Sequence, residues 1–176
     1  ASFFGAKFQR HIEEMLVSPL PSYVILLGFV AGGVARGLTV GAAVTAVSMF
    51  FTDVRVHDIG VAFSMVLLTS VLFSLGGFIN GVFARSFDDI SIIPTFVLTP
   101  LTYLGGVFYS IALLPAFWQG VSKVNPILYM VNAFRYGFLG VTDINLYASY
   151  TIVVAFIAGL YLFSLRMLNR GYGIRS

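Results

Sequence analysis

Long apolar runs alternate with short polar clusters along this chain. The runs cover 23–51, 59–84, 92–110 and 147–168. Each approaches or exceeds the roughly 20 apolar residues that cross a bilayer as a helix, so each is expected to be a span. The first is longer than a straight span requires and should tilt or protrude. Ser22 stands just ahead of it, at an N-cap position. The third carries two prolines: Pro94 is expected in its first turn, where proline is tolerated, and Pro100 should kink it. Between the second and third runs, RSFDDIS (85–91) reads as a charged turn. Its Asp88 and Asp89 are placed to cap the next helix and favour its dipole, rather than to act as an acid pair.

Two stretches break this pattern. In 4–17, Phe4, Phe8, Ile12 and Leu16 recur every four residues, while Lys7, Arg10, His11 and Glu14 fall on the other side. That spacing predicts an amphipathic helix, ended by Pro19 and Pro21. Such a helix either lies on the membrane surface or docks a cytoplasmic partner. The second stretch, 104–140, is apolar but cut by Pro115 and Pro126 into pieces of about a dozen residues, the length of re-entrant or interfacial segments. Pro115 should start one short helix. Asn125-Pro126 supplies a cap and a first-turn proline for another, over roughly 126–139. The fold class is therefore all-α: a polytopic membrane helical bundle of four transmembrane helices, an amphipathic cytoplasmic helix and a re-entrant helical pair.

Composition sharpens this reading. The 176 residues are 59% hydrophobic and only 10% charged, so the solvent is lipid. There is no cysteine, which removes disulfides, thiolate metal sites and cysteine nucleophiles. His11 and His57 are expected on opposite sides of the membrane, so no metal site is predicted. The net charge of +3 matters through its distribution. Lys7, Arg10, Arg85, Arg166, Arg170 and Arg175 fall on one side, against Arg55, Lys123 and Arg135 on the other. The positive-inside rule puts the first side, with both ends of the chain, in the cytoplasm and the 111–140 lid outside.

Gly33, Gly37 and Gly41 form a small-residue stripe that lets another helix approach closely. Arg36 lies near the middle of the same run, at a cost of about 2.5–3.5 kcal/mol on insertion scales. It sits about 60° round from Gly33 and should face the bundle rather than lipid. Two roles are open to it: a structural charge paired inside the bundle, or a charge lining a path for an anionic or amphipathic substrate.

From FARSFDDISIIPTFVLTPLTYLGG through to FRYGFLGV, and over essentially the whole chain, the sequence resembles ABC-2 type permeases, the membrane subunits of ATP-driven transporters. The signal is sharpest at Gly105-Gly106-Val107-Phe108, Leu114-Pro115, Asn125-Pro126 and Ala133-Phe134-Arg135-Tyr136. The resemblance implies a six-span permease working as a homodimer in a bacterial inner membrane with a separate cytoplasmic ATPase, which holds the ATP and magnesium. It implies that 4–17 is a coupling helix, with Lys7, Phe8, Arg10, Glu13 and Glu14 as contacts to the ATPase. The first two spans are then expected to lie outside this sequence. It implies that 111–140 forms extracytoplasmic re-entrant helices gating the path, with Gly105, Gly106, Pro115, Trp118, Asn125, Pro126 and Arg135 as gate residues. Export is the expected direction.

The main alternative is an ATP-independent channel or secondary transporter, which also uses re-entrant helices. Against it, no acidic residue is expected at mid-membrane to bind a coupling ion. An intramembrane enzyme would need placed nucleophiles, bases or metal ligands, and none is predicted. No phosphate-binding glycine loop is present, so the chain should not itself hydrolyse ATP. The partners expected from the resemblance are the ATPase subunit and a second permease copy, within a lipid bilayer, and no nucleic acid.

Overall fold

The computed structural model describes residues 21–52, 56–84 and 86–170. These fold into helices α1 (Ser22–Phe51), α2 (Ile59–Phe83), α3 (Phe87–Ile93), α4 (Thr99–Leu104), α5 (Ala116–Ser122), α6 (Pro126–Leu139) and α7 (Leu146–Asn169). A π-helical turn, Pro94–Leu98, joins α3 to α4, and a 3-10 turn, Ile111–Leu113, precedes α5. There is no strand among the described residues. The amphipathic segment 4–17 and the basic residues Arg55, Arg85 and Arg175 lie outside them.

Among the described residues, three helices are long and apolar enough to cross a membrane: α1, α2 and α7. The third predicted span takes a different form. Its helix starts at Phe87 rather than Ile92, because Ser86 and Asp89 form a capping box: Ser86 Oγ accepts from the Asp89 N–H, and Asp89 accepts from the Ser86 N–H. Of the acidic pair, Asp89 makes the cap and Asp88 stands beside it in the first turn, five residues earlier than the apolar run begins. Pro94 consequently falls in the interior. Pro100 lacks the N–H that would donate one turn back, and its ring crowds the carbonyl there. The backbone answers by widening into the π turn, with both the N–H and the hydroxyl of Thr99 donating to the Pro94 carbonyl. The run then stops at Leu104, short of the predicted end at 110.

α2 is the centre of the fold. It packs against α1, α6 and α7, and α6 packs against α7 in turn. Asp58 caps it, its carboxylate accepting from the Gly60 and Val61 N–H groups. Two buried clusters hold the bundle, one toward each end. One joins Leu26 and Val30 of α1, Leu75, Phe78 and Val82 of α2, and Met167 and Leu168 of α7. The other joins Met65 and Leu72 of α2, Leu128 to Met130 and Ala133 of α6, and Val153 of α7. The buried residues of α1 all lie in its first third; its later turns expose Val40, Val44, Met49 and Phe50. The middle of the α3–α4 run is equally bare, with Ile92, Phe96 and Val97 exposed. These are the surfaces of a protein whose solvent is apolar.

Ser22 does not cap α1. Pro21 takes the cap position with no side-chain bond, and Ser22 is the first helical residue. The glycine stripe of α1 is real, but the helix it admits is α2: a Cβ on Gly33 would fall on the Ser74 side chain, and one on Gly37 would lie 2.7 Å from Ser70 Oγ.

Candidate functional site

The lid is built from short helices with well-defined caps. Asn125 Oδ1 accepts from the Ile127 N–H, and Pro126 occupies the first turn of α6, as the residue pair predicts. Gly140 ends α6 in the left-handed conformation, at φ 70°. Pro115 takes the cap position of α5. α6 is pinned to the bundle at its C-terminal end: the Asp58 N–H donates to the Gly137 carbonyl (2.8 Å) and the His57 N–H to Phe138 (3.3 Å). Gly137 abuts the first turn of α2 so closely that a Cβ there would lie 2.8 Å from the Ala62 nitrogen. From that point α6 runs back along α2, and its first turns enter the buried cluster that contains Leu72. The 56–58 loop and the end of α6 therefore share one face of the bundle.

The start of α6 grips the end of α4. Asn125 Nδ2 donates to the Leu101 carbonyl at 2.6 Å. A Cβ on Gly105 would lie 2.7 Å from Ile127 Cγ2, so glycine is required for this approach. Gly106 adopts φ 72°, where side chains are disfavoured, and turns the chain outward. Its carbonyl accepts from Arg135 Nη2 at 2.7 Å. Arg135 Nη1 pairs with Asp143 at 3.4 Å, and Ser110 donates to the same carboxylate oxygen at 2.9 Å. Asn132, fully buried, donates to the Leu128 carbonyl and accepts from the Asp143 N–H.

Gly105, Gly106, Asn125, Pro126 and Arg135 are thus brought together. Arg135, expected among the gate residues, ties the α4 exit to the loop before α7. Pro115 and Trp118 stand apart: Trp118 is 45% exposed and stacks edge-on against Phe117. Asp143, Ser110 and Asn132 were not predicted. The available signal was an isolated acid eight residues after an arginine, between the lid and the last span. Lys7, Phe8, Arg10, Glu13 and Glu14 lie outside the described residues.

Arg36 occupies a second place, remote from the lid. It lines a groove of about 490 Å³ between α1 and α2, with Thr69, Ser70 and Ser74 opposite and Phe29 and Phe73 beside it. The expected turn into the bundle is only partial, for Arg36 is exposed. No carboxylate pairs with it among the described residues; the one ion pair they hold is Arg135–Asp143. Nor do they contain a group of three residues able to hold a metal.

This combination of an all-helical apolar bundle and a capped, glycine-hinged lid fits a multi-pass membrane protein, and its relatives identify the class. The ABC-2 type transporter family matches residues 1–139, and the chain belongs to that family. It is 60% identical over 177 residues to the inner membrane transport permease YadH of Escherichia coli K12, spanning all of this chain and 69% of YadH. It is 23% identical over 170 residues to nodulation protein J of Rhizobium leguminosarum bv. viciae, covering 97% of this chain and 66% of that protein. No solved structure matches. The family is that of the membrane subunits, which work with an ATPase subunit and are not themselves the ATPase.

Proposed function

We propose that this chain forms the translocation path of an ATP-driven exporter, as one of two identical copies in a bacterial inner membrane. Family membership carries this reading, together with the 60% identity to YadH. In it, α1, α2, the α3–α4 run and α7 cross the membrane, and both ends of the chain face the cytoplasm. The shared face of the 56–58 loop and the α6 terminus is then the outer face, in agreement with the few basic residues there. Residues 4–17 dock in the ATPase subunit as a coupling helix. Closure of the ATPase pulls on α1, and the movement reaches the lid through α2, which touches both α1 and α6.

The test is charge reversal of the docking helix in the full-length protein. Arg10→Glu combined with Glu14→Arg should leave assembly intact and uncouple ATP hydrolysis from transport in proteoliposomes. Unchanged coupling would remove these residues as contacts. Failure of any ABC-type ATPase to co-purify with the full-length permease would remove the ATP-driven reading itself.

A further inference from the structure

Arg36 is the fifteenth residue of a 30-residue helix, so it lies near mid-membrane, and Ser70 opposite it is near the middle of the 25-residue α2. The groove they share has three hydroxyls on one wall and phenyl rings of Phe29, Phe73 and Phe78 along the rest. The hydroxyls of Thr69 and Ser70 and the guanidinium of Arg36 have no hydrogen-bond partner among the described residues, while Ser74 reaches the Val30 carbonyl only at 3.4 Å. No acidic side chain lines the groove. A guanidinium flanked by hydroxyl donors is a receptor for carboxylate or phosphate, which it binds in bidentate fashion. Its volume falls within the range of small-molecule sites.

We propose that this groove is a transit site for an anionic amphiphile, with the carboxylate or phosphate on Arg36, Thr69 and Ser70 and the apolar chain along the phenylalanines. Depth separates a transported molecule from a resident lipid. The hydrocarbon core is about 30 Å thick, so a bilayer lipid keeps its headgroup about 15 Å from the level of Arg36. An anion that meets this arginine is one being moved through the membrane. Close helix packing does not account for the groove, because Gly33 and Gly37 are already filled by Ser74 and Ser70. The inference rests on the transport reading above and narrows it to a substrate class.

The experiment uses the full-length protein in lipid nanodiscs and a long-chain fatty acid bearing a photoreactive diazirine. Cross-links are expected on peptides of α1 and α2 around the groove. Dodecyl phosphate should compete for them and the neutral dodecyl maltoside should not. Arg36→Gln should lower this labelling about tenfold, the loss of one charge-assisted bidentate contact, whereas Arg36→Lys, which keeps the charge but not the fork, should fall between Arg36→Gln and the unaltered protein. If Arg36→Gln does not assemble, the Thr69→Val/Ser70→Ala pair is read in its place, with a loss of about fivefold expected for two hydrogen bonds. Labelling unchanged in the variant that is read overturns the proposal, as does equal competition by the maltoside. Absence of label from α1 and α2 overturns it too, and would mean that a protein helix covers the groove. The measurement needs no nucleotide. A permease that binds its ATPase but is not labelled refutes this site alone; one that is labelled but has no ATPase refutes only the ATP-driven reading.

Discussion

The contact between Gly137 and Ala62 offers the most direct test of how the lid is held. Substituting Gly137→Ala places a methyl 2.8 Å from both the Ala62 nitrogen and Cβ, and 2.9 Å from its Cα. None of these atoms ends a flexible side chain, so α6 must move away from α2. Overpacking of this kind costs about 1–3 kcal/mol. The displacement also stretches the Asp58–Gly137 and His57–Phe138 backbone bonds, at about 1 kcal/mol each. Alanine returns about 1 kcal/mol of helix propensity over glycine. The net destabilisation is about 3 kcal/mol, which lowers the melting temperature by about 6–12 °C for a chain of this size. Gly77→Ala is the internal control, since nothing lies within 4 Å of the place its methyl would take. It carries the propensity gain without the clash. The assay is size-exclusion chromatography of the fluorescently tagged full-length protein after heating. Gly137→Ala melting at or above Gly77→Ala would refute the close approach of α6 to α2.

Arg135 and Asp143 should not be equivalent. Their ion pair is partly exposed (23% and 32%), so Asp143→Asn should cost under about 1 kcal/mol. Arg135→Ala also strands the Gly106 carbonyl and should cost about 1 kcal/mol more, a difference that thermal melts of the two variants would show. Asn125→Ala removes both the α6 cap and the bond to Leu101, for a loss of about 2 kcal/mol, while Asn125→Asp keeps the cap acceptor and should recover about half. Equal melting of those two variants would show that the cap contributes nothing.

What the sequence reveals depends on whether the signal is local. The Asn125-Pro126 start of α6 and its end at Leu139 follow from cap chemistry within a few residues, and they stand as expected. The long apolar runs give α1, α2 and α7 because length and hydropathy suffice for these. The third run misleads for a physical reason: polar residues that look like a turn are the first turn of its helix, held by the Ser86–Asp89 box. The glycines of α1 are legible as a packing stripe, but their partner is set by the tertiary fold, in the serines of α2. Likewise Arg135 is visible as a charge, whereas its partners Gly106 and Asp143 are 29 and 8 residues away and meet it only once the lid is folded.

The burial of α6 has a consequence for biosynthesis. Its inner face is covered by α2, which precedes it, and by Tyr150, Ile152 and Val153 of α7, which follow it. Asp143, the ionic partner of Arg135, also follows. A nascent chain that has emerged only as far as Leu139 therefore holds the lid helix against α2 alone, with half its apolar face unmatched. The lid reaches its final seat only after α7 has left the ribosome and entered the membrane, so its seating waits on the insertion of a helix that follows it in the chain.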